Sequence, residues 1–228
     1  MSKVWGRVLQ VSTHSAGWVP LIVMIIAWSS GNLTFNPVQA ATIRTGRTAI
    51  IFLLLSLTVM PMNTLFGFKQ LIPLRRWLGL YAFMYAAVHV SIFIGVDYGF
   101  DLNLLREAIL EKPYAFVGAA TFLLLLPLAL TSTKGWMRRL KKNWKRLHRL
   151  VYIAAPLATI HYAWAQKADI RIPIAVGIFV VLLLGLRIGP IRAFASRLRY
   201  APRSFRTRFA SSKIGSRLMH RLAERKSL

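Results

Sequence analysis

IIFLLLSLTVM, residues 50–60, decides the fold class. The run holds one Ser, one Thr and no charge, and it does not alternate. A strand crossing lipid would alternate apolar and polar residues in short segments. A helix crossing the hydrocarbon core needs roughly 20 mostly apolar residues, and this run extends to about 46–63. The spacing therefore predicts a membrane helix.

Five more stretches of the same kind lie on either side, at about 10–29, 77–96, 115–133, 148–166 and 171–189. The fourth span contains TFLLLLPLAL (residues 121–130) and the sixth IPIAVGIFVVLLLGL (residues 172–186). The expected fold is all-α, an integral membrane six-helix bundle. Residues 1–190 form its transmembrane domain and 191–228 a basic cytoplasmic tail. The first apolar run lacks a small-residue cleavage site and reads as a retained span. Pro127 and Pro156 fall inside spans and are expected to kink them. No internal repeat is visible in the sequence.

Charge fixes the expected orientation. The chain carries 31 Lys and Arg against 6 Asp and Glu, a formal net charge of +25. Such a balance can indicate nucleic acid, but the basic residues sit in blocks between apolar runs. That placement fits the cytoplasmic leaflet and its anionic lipids, not nucleic acid. The connection 134–147, KGWMRRLKKNWKRL, is basic throughout, whereas 97–114 carries Asp97, Asp101, Glu107 and Glu111. Both are expected as loops. The positive-inside rule then puts both termini in the cytoplasm.

With no cysteine, the chain offers no thiolate zinc site, iron–sulfur cluster or disulfide. It also holds no GxGxxG or Walker motif. The histidines are the candidates for chemistry. Of His14, His89, His148, His161 and His220, two sit well inside spans, where an ionisable side chain is costly and marks a functional site. His89 and His161 fall at like depth on the third and fifth spans, so they are candidates to bracket a flat macrocycle as axial iron ligands. His148 lies about 19 Å nearer the inner face at 1.5 Å per residue, the place for a second redox site. On an ideal helix it would not share a face with His161, although Pro156 between them could change the phase. On the residues alone, hydrogen-bonded packing histidines, a zinc site or a proton relay stay open. Zinc would want more ligands, and a proton relay would want carboxylates inside the spans.

Arg75 and Arg76 stand at the inner end of the third span. They are candidates for haem propionates or a flavin phosphate, with anchoring to the anionic leaflet as the alternative. Arg44 and Arg47, flanking Gly46, are candidates for the propionates of the outer haem. His14 is a candidate for a quinone or flavin site, and His220 is expected to be a solvated tail residue.

Several stretches are familiar: TGRTA (45–49), RRWLGLYAF (75–83), AVHV around His89, PLALTSTKGWMRRL (127–140), WKRLHRLVY (144–152) and IHYAWAQK (160–167). On these the chain resembles the MsrQ (YedZ) family of haem-binding membrane subunits, in the ferric-reductase-like transmembrane superfamily. LHRLVY followed by IHYAW is the specific part. The resemblance covers about residues 10–190.

It implies haem b, with the family's haem histidines falling on His89, His148 and His161. FMN is also ascribed to the family. It further implies a bacterial inner-membrane location and a periplasmic molybdopterin-containing partner that reduces methionine sulfoxide in proteins. Electrons would come from the quinone pool or a cytosolic flavin reductase. The superfamily often has two histidines on each of two helices, whereas here the inner position of the third helix is Arg75 or Arg76. The alternatives are a haem-containing ferric or quinone reductase with another acceptor, and a haem-free transporter or scaffold.

Overall fold

The computed structural model describes residues 3–166, 169–191 and 193, and no strand occurs among them. The order is α1 (Lys3–Ser29), α2 (Pro37–Phe66), α3 (Leu74–Ser91), α4 (Leu102–Glu111), α5 (Pro113–Leu130), α6 (Lys134–Leu140), α7 (Lys142–Leu147), α8 (Val151–Ala165) and α9 (Arg171–Gly185). The expected tail beyond 193, with His220, lies outside the described residues.

Local chemistry sets the helix ends. Asn36 caps α2 by accepting from the Gln39 N–H at 3.0 Å, with Pro37 in the first turn. Gly67 closes α2 in the left-handed region, φ 78°, and its N–H returns to the Asn63 carbonyl. Asp101 caps α4 by accepting from Asn103 and Leu104. Pro113 opens α5.

Among the described residues, four helical segments are long and apolar enough to cross a membrane: Val4–Ser29, Pro37–Phe66, Leu74–Asp97 and Pro113–Leu130. The third includes a π-helical extension of α3, Ile92–Asp97. α8 and α9 have 15 residues each, about 22 Å at 1.5 Å per residue. Before α8, His148–Leu150 form a 3₁₀ turn, which adds about 6 Å.

Two stretches expected as loops are helical. Residues 97–114 contain α4, which buries Leu105 and Ala108 at a spacing of one turn and turns its acids outward. Residues 134–147 fold into α6 and α7, broken at Lys141, whose φ is +46°.

α2 packs most closely on α3 and α5 on α8, so the bundle is built on two helix pairs. Its shared centre holds Phe52, Leu53, Leu57, Ala82, Tyr85, Leu125, Ala154, Ala155, Val180 and Leu183. Lipid is as apolar as leucine, so membrane helices associate through close packing and small interfacial residues. Ala82, Ala154 and Ala155 serve that purpose, each at most 1% exposed. Large apolar side chains such as Ile174, Ile178, Val181 and Leu182 are exposed on the outside of α9, the side a lipid environment would cover.

α1 docks through Gly17. A Cβ there would collide with the Tyr81 ring, and the Tyr85 hydroxyl donates to the Gly17 carbonyl at 2.8 Å. Interhelical hydrogen bonds in membranes average about 0.6 kcal/mol, whereas overpacking costs about 1–3 kcal/mol. Gly17→Ala is therefore expected to destabilise the protein more than Tyr85→Phe, as measured by thermal unfolding in detergent. The reverse order would mean that close approach at Gly17 does not hold α1.

Candidate functional site

His89 and His161 meet across the bundle, their ring centroids 6.0 Å apart and their planes inclined by 77°. Both side chains are half-buried. Imidazole nitrogen binds a metal ion at about 2.0–2.1 Å, and the ring centre lies about 1 Å behind it. Two rings sharing one ion therefore stand about 6 Å apart, the separation seen here.

Each ring is held in the same way. His89 Nδ1 lies 2.9 Å from the Thr42 carbonyl on α2, and His161 Nδ1 lies 2.7 Å from the Tyr114 carbonyl on α5. A carbonyl only accepts, so both Nδ1 atoms carry the proton and both Nε2 atoms keep a lone pair. This is the usual second-shell arrangement for a metal-bound histidine.

One turn beyond each carbonyl stands a glycine. A Cβ on Gly46 would come within 3.1 Å of His89 Nδ1. One on Gly118 would come within 2.7 Å of His161 Cε1 and 2.8 Å of its Nδ1. The two glycines thus leave the space that the rings fill.

The two helix pairs, α2 with α3 and α5 with α8, form hairpins of one design. In each, the histidine follows its carbonyl partner by 47 residues, with the glycine one turn after the carbonyl. The sequence hides this repeat, because only these few positions maintain it. His148 stands 13 residues before His161, and Arg76 stands 13 residues before His89 in the matching place of the first hairpin.

His148 Nδ1 donates to the Trp144 carbonyl at 3.1 Å, and the ring stacks on Trp144 with centroids 3.9 Å apart. Its Nε2 is buried without a hydrogen-bond partner, as is Arg76 Nε. A buried polar atom left unpaired costs about 1–3 kcal/mol, a cost that a group bound at this end would relieve. The 3₁₀ turn carrying His148 packs against α5, the helix that also supplies the carbonyl partner of His161.

Arg44 and Arg47 are exposed at the His89 end. Arg47 Nη2 donates to Gln166 Oε1 at 3.4 Å, bridging the two hairpins beside the paired histidines. His14 is elsewhere. Its Nδ1 lies 2.8 Å from the Tyr81 hydroxyl and its ring meets Trp77 edge-on at 4.7 Å, so it ties α1 to α3. α3 changes to π-helix at Ile92, three residues after His89, and the Ile92 N–H is shared between the His89 and Val88 carbonyls. Such bulges recur at functional sites.

Thr42, Tyr114, Gly46 and Gly118 were not singled out by sequence reasoning. The signal available was the repeated distance from each histidine. Among the described residues, no three of His, Cys, Asp and Glu gather as a metal cluster. Two imidazoles are too few for tetrahedral zinc. They are the number needed by a macrocycle that brings four equatorial nitrogens of its own.

Residues 45–159 match the family described as "Ferric reductase like transmembrane component". The "Protein-methionine-sulfoxide reductase heme-binding subunit MsrQ" of Xanthomonas oryzae pv. oryzae (strain MAFF 311018) is 42% identical over 195 residues, covering 82% of this chain and 89% of that protein. The protein of the same description from Xanthomonas campestris pv. campestris (strain 8004) is 45% identical over 187 residues, 78% of this chain and 85% of its own. That of Herminiimonas arsenicoxydans is 42% identical over 156 residues, 67% of this chain and 72% of its own. No solved structure matches the chain.

Proposed function

Because the chain belongs to the ferric reductase like transmembrane component family, and there to the MsrQ heme-binding subunits, we propose that it passes electrons through haem b to a protein-methionine-sulfoxide reductase. The acceptor is a periplasmic molybdopterin-containing catalytic subunit. The donor is the quinone pool or a cytosolic flavin reductase. The chain resides in the bacterial inner membrane, crosses it six times and keeps both termini in the cytoplasm. The basic α6–α7 segment faces the donor and the acidic α4 end faces the periplasm. Reduction of the sulfoxide itself belongs to the partner.

The observation that carries this reading is the His89–His161 pair, 6.0 Å apart with both Nδ1 atoms committed to carbonyls. A haem bound there supplies a one-electron ferric/ferrous couple. His89 and His161 would hold the iron through Nε2. The Thr42 and Tyr114 carbonyls fix tautomer and ring orientation, and Gly46 and Gly118 give the rings room. Arg44 and Arg47 neutralise the propionates at the periplasmic end. The surrounding helices keep water out, which lowers the reorganisation that accompanies a change of charge.

His148 serves an inner redox group through the Nε2 that has no protein partner, and Arg76, 13 residues before His89, stands in the sequence position a fourth histidine would take. His148→Ala is expected to lose part of the bound haem or to slow electron entry, leaving the outer haem in place. Unchanged haem content and unchanged reduction kinetics would remove His148 from the route.

The cheapest test is the visible spectrum of the purified protein. Sharp α and Soret bands on dithionite reduction are expected, as for low-spin haem. A colourless preparation, made with ample haem supply, would overturn the proposal.

A further inference from the structure

Pro61 lies inside α2 and has no N–H, so the Leu57 carbonyl one turn earlier loses its helical donor. Arg187, at the end of α9, takes its place: Arg187 Nη2 donates to the Leu57 carbonyl at 2.6 Å. That bond clasps α9 onto the kinked α2, a purely structural role. It leaves most of the guanidinium unexplained. Arg187 Nε and Nη1 are buried and have no hydrogen-bond partner.

Arg187 borders a cavity of about 110 Å³, whose other walls include Thr64, Arg75 and Tyr152. The Arg187 guanidinium lies 5.3 Å from the centre of the Tyr152 ring. Two guanidiniums thus share a small space, and no carboxylate lines it. Guanidinium groups are not deprotonated in proteins. Among the described residues, the carboxylates lie in the α3–α5 connection and at Asp169, away from this end. Two like charges beside each other at the edge of a low-dielectric bundle call for an anion between them. Planar guanidinium forks match the paired oxygens of a phosphate. The cavity has room for about three to four waters at roughly 30 Å³ each, which is also room for one phosphate group.

We infer that this cavity binds one phosphate-type oxyanion between Arg75 and Arg187, at the cytoplasmic end of the bundle. The inference goes beyond the haem assignment and does not depend on His89 or His161. The phosphate can belong to an anionic lipid headgroup or to a phosphate-bearing cofactor. Either would pin α9 to α2 and α3 near the turn that carries His148.

The test uses the full chain, purified in detergent and stripped of lipid, and reads Tm against three added probes. These are inorganic phosphate, FMN and phosphatidylglycerol, with phosphatidylcholine as the zwitterionic control. At least one phosphate-bearing probe is expected to raise Tm by several degrees, and Arg75→Gln to weaken that probe's binding at least tenfold. A shift with inorganic phosphate shows a free oxyanion site. A shift with phosphatidylglycerol alone identifies a lipid headgroup. A shift with FMN, accompanied by quenching of flavin fluorescence, identifies a cofactor phosphate.

Arg187→Gln also breaks the Leu57 clasp, so Arg75→Gln decides the result. Arg139→Gln, on the exposed face of α6, should keep the full shift. The inference falls if no probe moves Tm, if Arg75→Gln keeps the whole effect, or if Arg139→Gln loses it equally. The Soret band, read on the same samples, reports separately on the haem assignment.

Discussion

His89→Ala and His161→Ala are each expected to strip most of the haem from the purified protein, whereas His14→Ala and His220→Ala leave it bound. Losing a second-shell partner alone typically costs 10–100-fold in metal affinity, so losing a ligand should cost more than about 100-fold. The two histidines act as a unit. The rings stand 6.0 Å apart, so either substitution leaves a single imidazole facing a site that has lost its opposite wall. His14 differs because its ring is engaged with Tyr81 and Trp77, away from the pair. Haem quantitation per chain, with the reduced spectrum, checks the result. Full haem retention in both His89→Ala and His161→Ala would refute the ligand assignment, whatever the fate of activity.

Gly118→Ala is the second large effect, and it tests the supporting geometry rather than the ligands. The new methyl group would stand 2.7 Å from His161 Cε1 and 2.8 Å from Nδ1, closer than real Cβ contacts allow. The ring must move, and its hydrogen bond to the Tyr114 carbonyl on the same helix is then distorted. A displaced axial ligand should lower haem affinity by about 10-fold or more, the range for a lost supporting contact, and shift the Soret band toward a high-spin form. Gly46→Ala makes the useful comparison. Its methyl group would lie 3.1 Å from His89 Nδ1 and 3.2 Å from Cε1, a tightness that shifts of a few tenths of an ångström relieve. Its effect should be distinctly smaller. Identical haem content and spectra for Gly118→Ala and the unaltered protein would show that His161 is not held as described.

The ordering of these two glycine variants illustrates what the sequence shows and what it conceals. Gly46 and Gly118 are plain in the sequence, but nothing near them in the chain says which ring each one admits. The histidines could be chosen because intramembrane imidazole is costly and depth follows from helical rise. Their tautomers could not, since the carbonyls that set them come from 47 residues earlier in both cases. α4 was legible in principle: Leu105 and Ala108 sit one turn apart. Four acids in 18 residues obscured that spacing and suggested a loop. The role of Arg187 is invisible in the sequence, because the carbonyl it serves is 130 residues away.

By itself, the sequence determined the class of the protein: a bundle of apolar helices, without cysteine, whose only candidate redox ligands were histidines placed by depth. Long apolar runs and charge blocks are properties of the chain, and the cost of polar groups in lipid acts on each segment alone. The pairing of His89 with His161, the glycine seats beneath the two rings and the joining of Arg75 with Arg187 were decided only by tertiary structure. Those contacts arise where separate helices pack, and side chains distant in the chain meet there at distances that spacing along one helix cannot specify.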